Sequence, residues 1–277
     1  MNAERAGTHA RTGLDGPESS RAAHPAGSGF GTLFYKEWLR FWKVSVQTVL
    51  APVLTALLYL VVFGYTLRER VQPLPGIDYT SFLVPGLAMM SVLQNAFANS
   101  SSSLIQSKMQ GSIIFVLLAP VSHREFLAAY VLAAMARGCI VGLAVIVATV
   151  WFVDLAIEHP GWILVFSVLG SGVMATLGVI AGIRTEKIDQ LSAIQSFVIL
   201  PLTFLSGVFY SVHALPPLGQ YATHFNPMFY MIDGFRYGFF GLADVSPWLS
   251  AGFVAACFAA LLFGAHALLA SGYRLRH

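Results

Sequence analysis

The residues of this chain that could do chemistry are few, and their spacing suits few reactions. His213 and His224 have no third ligand at metal spacing, so they read as hydrogen-bonding loop histidines rather than a zinc site. Asp154, Glu158 and His159 lie close together in a short polar stretch that solvent alone explains. Cys139 and Cys257 both fall inside apolar runs and read as packing residues, not as a disulfide or a metal pair. No Gly-x-x-x-x-Gly-Lys-Ser/Thr loop is present, so ATP hydrolysis by the chain itself is not expected. No His-Glu-x-x-His is present either, which argues against a zincin-type membrane protease. The chain is expected to carry no catalytic residue and no metal. One constellation stands out. Asn226 and Pro227 suit the N-cap and first turn of a helix. Asp233 and Arg236 then fall at i and i+3, close enough to pair on one face. The pair reads as structural for an outer gate rather than as a substrate site.

The stretch that carries them, from Phe225 to Gly241, is too aromatic for a solvated loop. It is also too interrupted by Pro, Gly, Asp and Arg to cross a bilayer unaided. Broken backbone at membrane depth is tolerated only where protein or a water-lined cavity satisfies it. An apolar run from Phe197 to Tyr210 and the turn Ser211 to Pro217 precede it. Together they read as short helices dipping into one face of a membrane bundle. Composition agrees: 56% of residues are hydrophobic and 10% charged, against roughly 25% charged in a soluble domain. A net charge of +3 is too small to argue for a nucleic-acid partner.

A span needs about 20 mostly apolar residues. Six segments qualify, at 44–67, 79–101, 138–157, 162–183, 191–210 and 247–271. The expected fold is therefore an all-α polytopic membrane protein of six transmembrane helices. With the N-terminus inside, only Arg68, Arg70 and Arg236 of the 16 Lys and Arg fall outside. That bias follows the positive-inside rule and puts both termini in the cytoplasm.

Residues 1–29 hold a Gly/Ala/Ser/Arg/His mixture without the apolar core of a signal peptide, and read as a disordered cytoplasmic tail. Over residues 30–43, Phe34, Trp38, Phe41 and Trp42 recur at helical spacing. Lys36, Glu37, Arg40 and Lys43 fill the other side. This describes an amphipathic helix along the inner leaflet, with Trp38, Arg40 and Trp42 as its interfacial residues. The alternative is an aromatic belt on the first span; the interleaved charges favour the interfacial helix. Residues 44–277 form the six-span transmembrane domain. Inside, between the second and third spans, Gly111 and Pro120 bracket the six-residue apolar run Ile113 to Leu118. That run either packs on the inner ends of its own spans or docks a soluble partner, and its spacing does not separate the two.

None of the six spans has an acidic residue near its middle. A proton- or sodium-driven carrier needs a buried carboxylate, so the driving energy is expected from elsewhere. The second span does carry Gln94, Asn95, Asn99 and the serines Ser100 to Ser103, which line a pathway or bond across helices.

This order of features resembles the membrane subunits of type-2 ABC exporters. Phe82-Leu83-Val84-Pro85-Gly86 is similar to the family's Leu-x-Pro-Gly opening of the second span. Gly111-Ser112 with Leu117-Leu118-Ala119-Pro120-Val121-Ser122 resembles its coupling-helix segment. Leu215-Pro216, Asn226 to Tyr230 and Asp233 to Gly238 resemble its outer re-entrant segment. The likeness covers about residues 30–275 and is greatest to small bacterial permeases encoded beside a separate ATPase. The chain departs from many relatives in having Lys108, Met109 and Gln110 where they carry acidic residues around the coupling glycine.

The resemblance implies a permease dimer in the bacterial inner membrane, with two ABC ATPase subunits docked beneath it and membrane lipids around it. It implies ATP and Mg on the partner ATPase and no cofactor on this chain. Gly111, Leu117, Leu118 and Pro120 would couple to the ATPase, and Asn226, Pro227, Asp233 and Arg236 would form the outer gate. An ion-coupled secondary transporter and a non-transport membrane scaffold are the alternatives. The first lacks a buried carboxylate and an internal repeat, and the second lacks a reactive constellation.

Overall fold

The computed structural model describes residues 29–64, 66, 76–118 and 121–271, and among them every regular element is helical. The N-terminal tail, Arg68, Arg70, Pro120, Arg274 and Arg276 lie outside the described residues. In chain order the helices are α1 (Gly29–Lys43), α2 (Ser45–Tyr59), α3 (Tyr79–Met109), α4 (Ile113–Leu118), α5 (His123–Thr149) and α6 (Pro160–Arg184). Then come α7 (Ile188–Ile194), α8 (Leu200–Phe204), α9 (Pro217–His224), α10 (Pro227–Phe240) and α11 (Pro247–Ala270). A π turn, Leu60–Gly64, extends α2, and another, Gln195–Ile199, joins α7 to α8.

Among the described residues, five stretches are long and apolar enough to cross a membrane: Ser45–Gly64, α3, α5, α6 and α11. The chain is an all-α polytopic membrane protein. In place of the sixth expected span stands the shorter apolar stretch Ile188–Phe204. At 1.5 Å per residue it reaches about 25 Å, short of the roughly 30 Å of hydrocarbon. Turns and bends carry the backbone onward over residues 205–210.

Helix α3 is the axle of the bundle. The Asp78 side chain caps it by accepting the Thr80 N–H, and its side chains are buried along most of its length, against α5 on one side and α6 on the other. Small residues permit that closeness. A Cβ on Gly138 of α5 would lie 2.8 Å from the Val92 carbonyl oxygen. The Ser100 hydroxyl reaches across to donate to the Ala175 carbonyl of α6 at 2.8 Å. The two helices finish together at one end, where the Lys108 ammonium donates to the carbonyls of Ile183 and Thr185. This is the Met109 end of the bundle; the opposite one is the Tyr79 end.

Two sequence expectations change here. Helix α5 begins at His123 rather than near 138, because Ser122 and Glu125 form a reciprocal capping box that starts it fifteen residues earlier. Arg137 therefore lies inside this helix, about 21 Å from its start, and not in a hydrated connection. Helix α1 also packs by a different face. Leu33, Glu37 and Phe41, at i, i+4 and i+8, are buried, Trp38 is half-buried, and Trp42 and Tyr35 are exposed. A carboxylate thus occupies the centre of the packed stripe, and the aromatic Trp42 points away from it.

Candidate functional site

The segment from Pro217 to Phe240 forms a helical hairpin beside the first turns of α6. Asn226 accepts the Met228 N–H and Pro227 fills the first position, which starts α10. The Asn226 amide also donates to the Leu202 carbonyl, fastening the hairpin tip to α8. From there α10 runs back along α6. Met231 approaches Gly170, Gly234 faces Phe166, and the His159 N–H donates to the Gly238 carbonyl at 2.9 Å. Gly170 is about 15 Å along α6 from Pro160, so the tip reaches that deep and the hairpin re-enters the bundle.

Asp233 and Arg236 do not pair with each other. The Asp233 carboxylate accepts the backbone N–H groups of Asp244 and Val245 at 2.9 and 3.0 Å. Arg236 donates to the Gly207 carbonyl at 2.9 Å, and its guanidinium lies 3.7 Å from the centre of the Phe82 ring. The side chains leave α10 toward different neighbours because each finds a better-aligned partner there: two amide donors for the carboxylate, a carbonyl and an aromatic face for the cation. Gly86 makes the second contact possible, since a Cβ there would press on both the Val208 carbonyl and Arg236. Burial pushes the Asp233 carboxyl up to about 6, against the pull of its two amide donors.

Asp244 extends the arrangement. Its carboxylate accepts from the Ser211 hydroxyl and the Val212 N–H, both at 3.2 Å, and lies 3.5 Å from His213 Nε2. The Tyr79 hydroxyl donates to the Phe209 carbonyl. Residues 207–213 are therefore held from three sides, by α3, by α10 and by the loop before α11. His224 binds a carbonyl of its own helix, and among the described residues no group of histidines, cysteines or carboxylates is placed to hold a metal ion. Glu158 and His159 use their backbone on α10.

A second region lies at membrane depth on the flank of α3. One cleft of about 220 Å³ opens between α2 and α3, lined by Thr55, Tyr59, Ser91, Gln94 and Asn95 among others. A second, of about 250 Å³, lies between α3 and the α7–α8 stretch, lined by Gln94, Ser192, Gln195 and Ser196 with Ile199 and Leu200. Gln94 belongs to both, and its buried amide nitrogen has no hydrogen-bond partner. Ser192, Gln195 and Ser196 are exposed although they sit on an apolar helix. Polar side chains placed this way are unmatched by lipid. Sequence reading finds Gln94 and Asn95 but not their companions, because Ser192, Gln195 and Ser196 look unremarkable without their shared face.

At the Met109 end, Gly111 adopts φ +68°, a left-handed turn that glycine makes without strain. It reverses the chain from α3 into α4. There Ile113 is buried, while Ile114 and Phe115 are exposed, Phe115 by 77%. The side chains of Leu117 and Leu118, and Pro120, lie outside the described residues.

Nearby is the cluster that sequence reading missed. Arg40 of α1 donates through Nη2 to the Asn99 Oδ1 and carbonyl oxygen, each at 2.8 Å, and Arg137 of α5 donates to the same Oδ1 at 2.9 Å. Arg40 Nε is 3.3 Å from Glu37, whose side chain is 1% exposed. The expectation of no buried carboxylate is thus corrected, by Glu37 here and by Asp233 above. Only the i, i+4, i+8 stripe Leu33-Glu37-Phe41 signalled it in the sequence.

The sequence profile of the ABC-2 type transporter family matches residues 28–240. The chain is 40% identical over 214 residues to the "Inner membrane transport permease YadH" of Escherichia coli K12, covering 77% of this chain and 84% of that protein. It is 25% identical over 222 residues to "Nodulation protein J" of Rhizobium meliloti, covering 78% and 83% respectively.

Proposed function

Since the chain belongs to the ABC-2 type transporter family of membrane permeases, we propose that it is the membrane-spanning subunit of an ATP-driven exporter in a bacterial inner membrane. Two copies face each other across the seam of α2, α3 and α7–α8, and a separate ATPase subunit docks beneath each. The chain itself performs no catalysis; ATP and Mg act on the partner. Both termini and the Met109 end face the cytoplasm, and the re-entrant hairpin faces outward as the gate.

The observation that carries this reading is the uncovered polar seam. Gln94, Asn95, Ser192, Gln195 and Ser196 line clefts on the flank of one copy, at a depth where lipid offers no hydrogen bonds. A second copy across the seam encloses them in an aqueous path. The exposed Ile114 and Phe115 next to the left-handed Gly111 supply an apolar knob for an ATPase groove. Buried Glu37 and Asp233 remove one argument against an ion-coupled carrier, but neither is free to shuttle ions. Glu37 is ion-paired to Arg40, and Asp233 holds two backbone amides.

The test is purification of a tagged chain co-expressed with its ATPase and an untagged copy. Both should be retained, and Phe115→Asp should lose the ATPase while still inserting, because a buried unpaired charge costs several kcal/mol at a contact. A chain recovered as a monomer, or an ATPase retained by Phe115→Asp, refutes the reading.

A further inference from the structure

The cluster where α1 meets α3 and α5 does not balance its charges. Two guanidiniums, Arg40 and Arg137, share the single Oδ1 of Asn99, which is 1% exposed. Their bonded nitrogens therefore lie within about 6 Å of each other, a separation at which partly desolvated like charges repel. One carboxylate, Glu37, answers them, and it ion-pairs with Arg40 and with the half-exposed Lys36, not with Arg137. Among the described residues no second carboxylate reaches Arg137. Its Nε is buried without a hydrogen-bond partner, and its other neighbour is the face of Phe41, 5.8 Å away.

We infer that this cluster is a charge-unbalanced joint: Glu37 seats α1 against α3 and α5, Arg137 opposes that seating, and α1 is a releasable arm of the bundle. Removing the carboxylate leaves two partly buried cations with only neutral acceptors, the shared Asn99 Oδ1 and, for Arg40, the Asn99 carbonyl and the Gln106 amide oxygen, which drives α1 off. Removing Arg137 takes away the uncompensated cation and leaves the Glu37–Arg40–Asn99 unit intact, so α1 binds at least as firmly. An ordinary strut has the opposite sign, because deleting either member of an attractive contact loosens it. The apolar contacts of α1, through Leu33 and Phe41, are common to all variants and set a shared baseline.

The sign is measurable on the full chain in lipid nanodiscs. Leu33, 6% exposed on the packed face of α1 and one turn before Glu37, is replaced by cysteine in a background carrying Cys139→Ala and Cys257→Ala. The rate of modification by a fluorescent maleimide then reports how often α1 lifts. Glu37→Gln should raise that rate about tenfold or more. Arg137→Leu alone should leave it unchanged or lower it, and the double variant should return to within about threefold of the parent. If Arg137→Leu alone speeds labelling, Arg137 is a strut and the inference fails. It fails equally if Glu37→Gln leaves the rate unchanged. Should Glu37→Gln not accumulate in the membrane, the sign of Arg137→Leu still decides.

Discussion

Exchanging the charges of Asp233 and Arg236 distinguishes two separate anchors from one internal ion pair. In a paired arrangement, Asp233→Arg with Arg236→Asp restores the attraction that either reversal alone destroys. The observed contacts predict the opposite. A guanidinium at 233 would point its donors at the N–H groups of Asp244 and Val245, which are donors themselves. A carboxylate at 236 would face the Gly207 carbonyl oxygen and the electron-rich face of Phe82. The native side chains are only 2% and 3% exposed, so neither replacement reaches water. An unpaired charge at such a site costs about 3–5 kcal/mol. Two of them approach the whole stability of an ordinary fold, about 5–15 kcal/mol. The exchanged double variant should therefore be less stable than either single reversal and should not survive detergent extraction as a monodisperse species. Arg236→Lys, which keeps the cation but loses the planar fork, should lose about 1–2 kcal/mol and remain extractable. Heating followed by fluorescence-detected size exclusion ranks the four variants against the parent. A double variant that melts within about 2 °C of the parent, above both single reversals, would refute the two-anchor account.

Two further outcomes follow from the same structure. Burial holds the folded-state Asp233 carboxyl at about 6, above the roughly 3.9 of an unfolded chain. The folded state therefore binds the proton more tightly, and this group's contribution to stability falls as pH rises from about 4 to about 6, by up to ~2 kcal/mol. Thermal scans at pH 5 and 7.5 should show the difference, and Asp233→Asn should flatten it; an unaltered pH profile in that variant counts against the assignment. In cells, a cysteine replacing exposed Ala156 should react with an impermeant maleimide, and one replacing exposed Gln110 should not. The reverse labelling would invert the proposed orientation.

The bundle was legible in the sequence because apolar length is a strong signal, and five of the six expected segments became long apolar helices. The misreadings share one cause. Local pattern assigns Glu37 and Arg137 to hydrated positions and pairs Asp233 with Arg236, whereas all four are placed by partners that this pattern does not show. Arg137 reads as the end of a hydrated connection because no local pattern reveals that Asn99, in another helix, will accept its hydrogen bond. Asp233 and Arg236 met the spacing rule for a helical pair, yet that rule describes an isolated helix. Backbone donors from residues 244 and 245 and an aromatic ring on α3 outcompeted it. The N-cap at Asn226 was readable for the converse reason, since its partner Met228 is two residues away.

Both helical stretches that border the polar clefts contain a π turn, at Leu60–Gly64 and Gln195–Ile199. Such a turn takes in roughly one residue more than an α-helical turn, which offsets everything beyond it by about 100° around the axis. A helical wheel drawn through 188–204 as a single rod therefore assigns Leu200–Phe204, beyond the wide turn, to the wrong side. In 45–64 the wide turn closes the stretch, and the cleft residues Thr55 and Tyr59 precede it and keep one phase. A mutational scan of 188–204 needs two phases, and its periodicity fitted as a single wave would cancel across Gln195, Ser196 and Ile199, which line the seam.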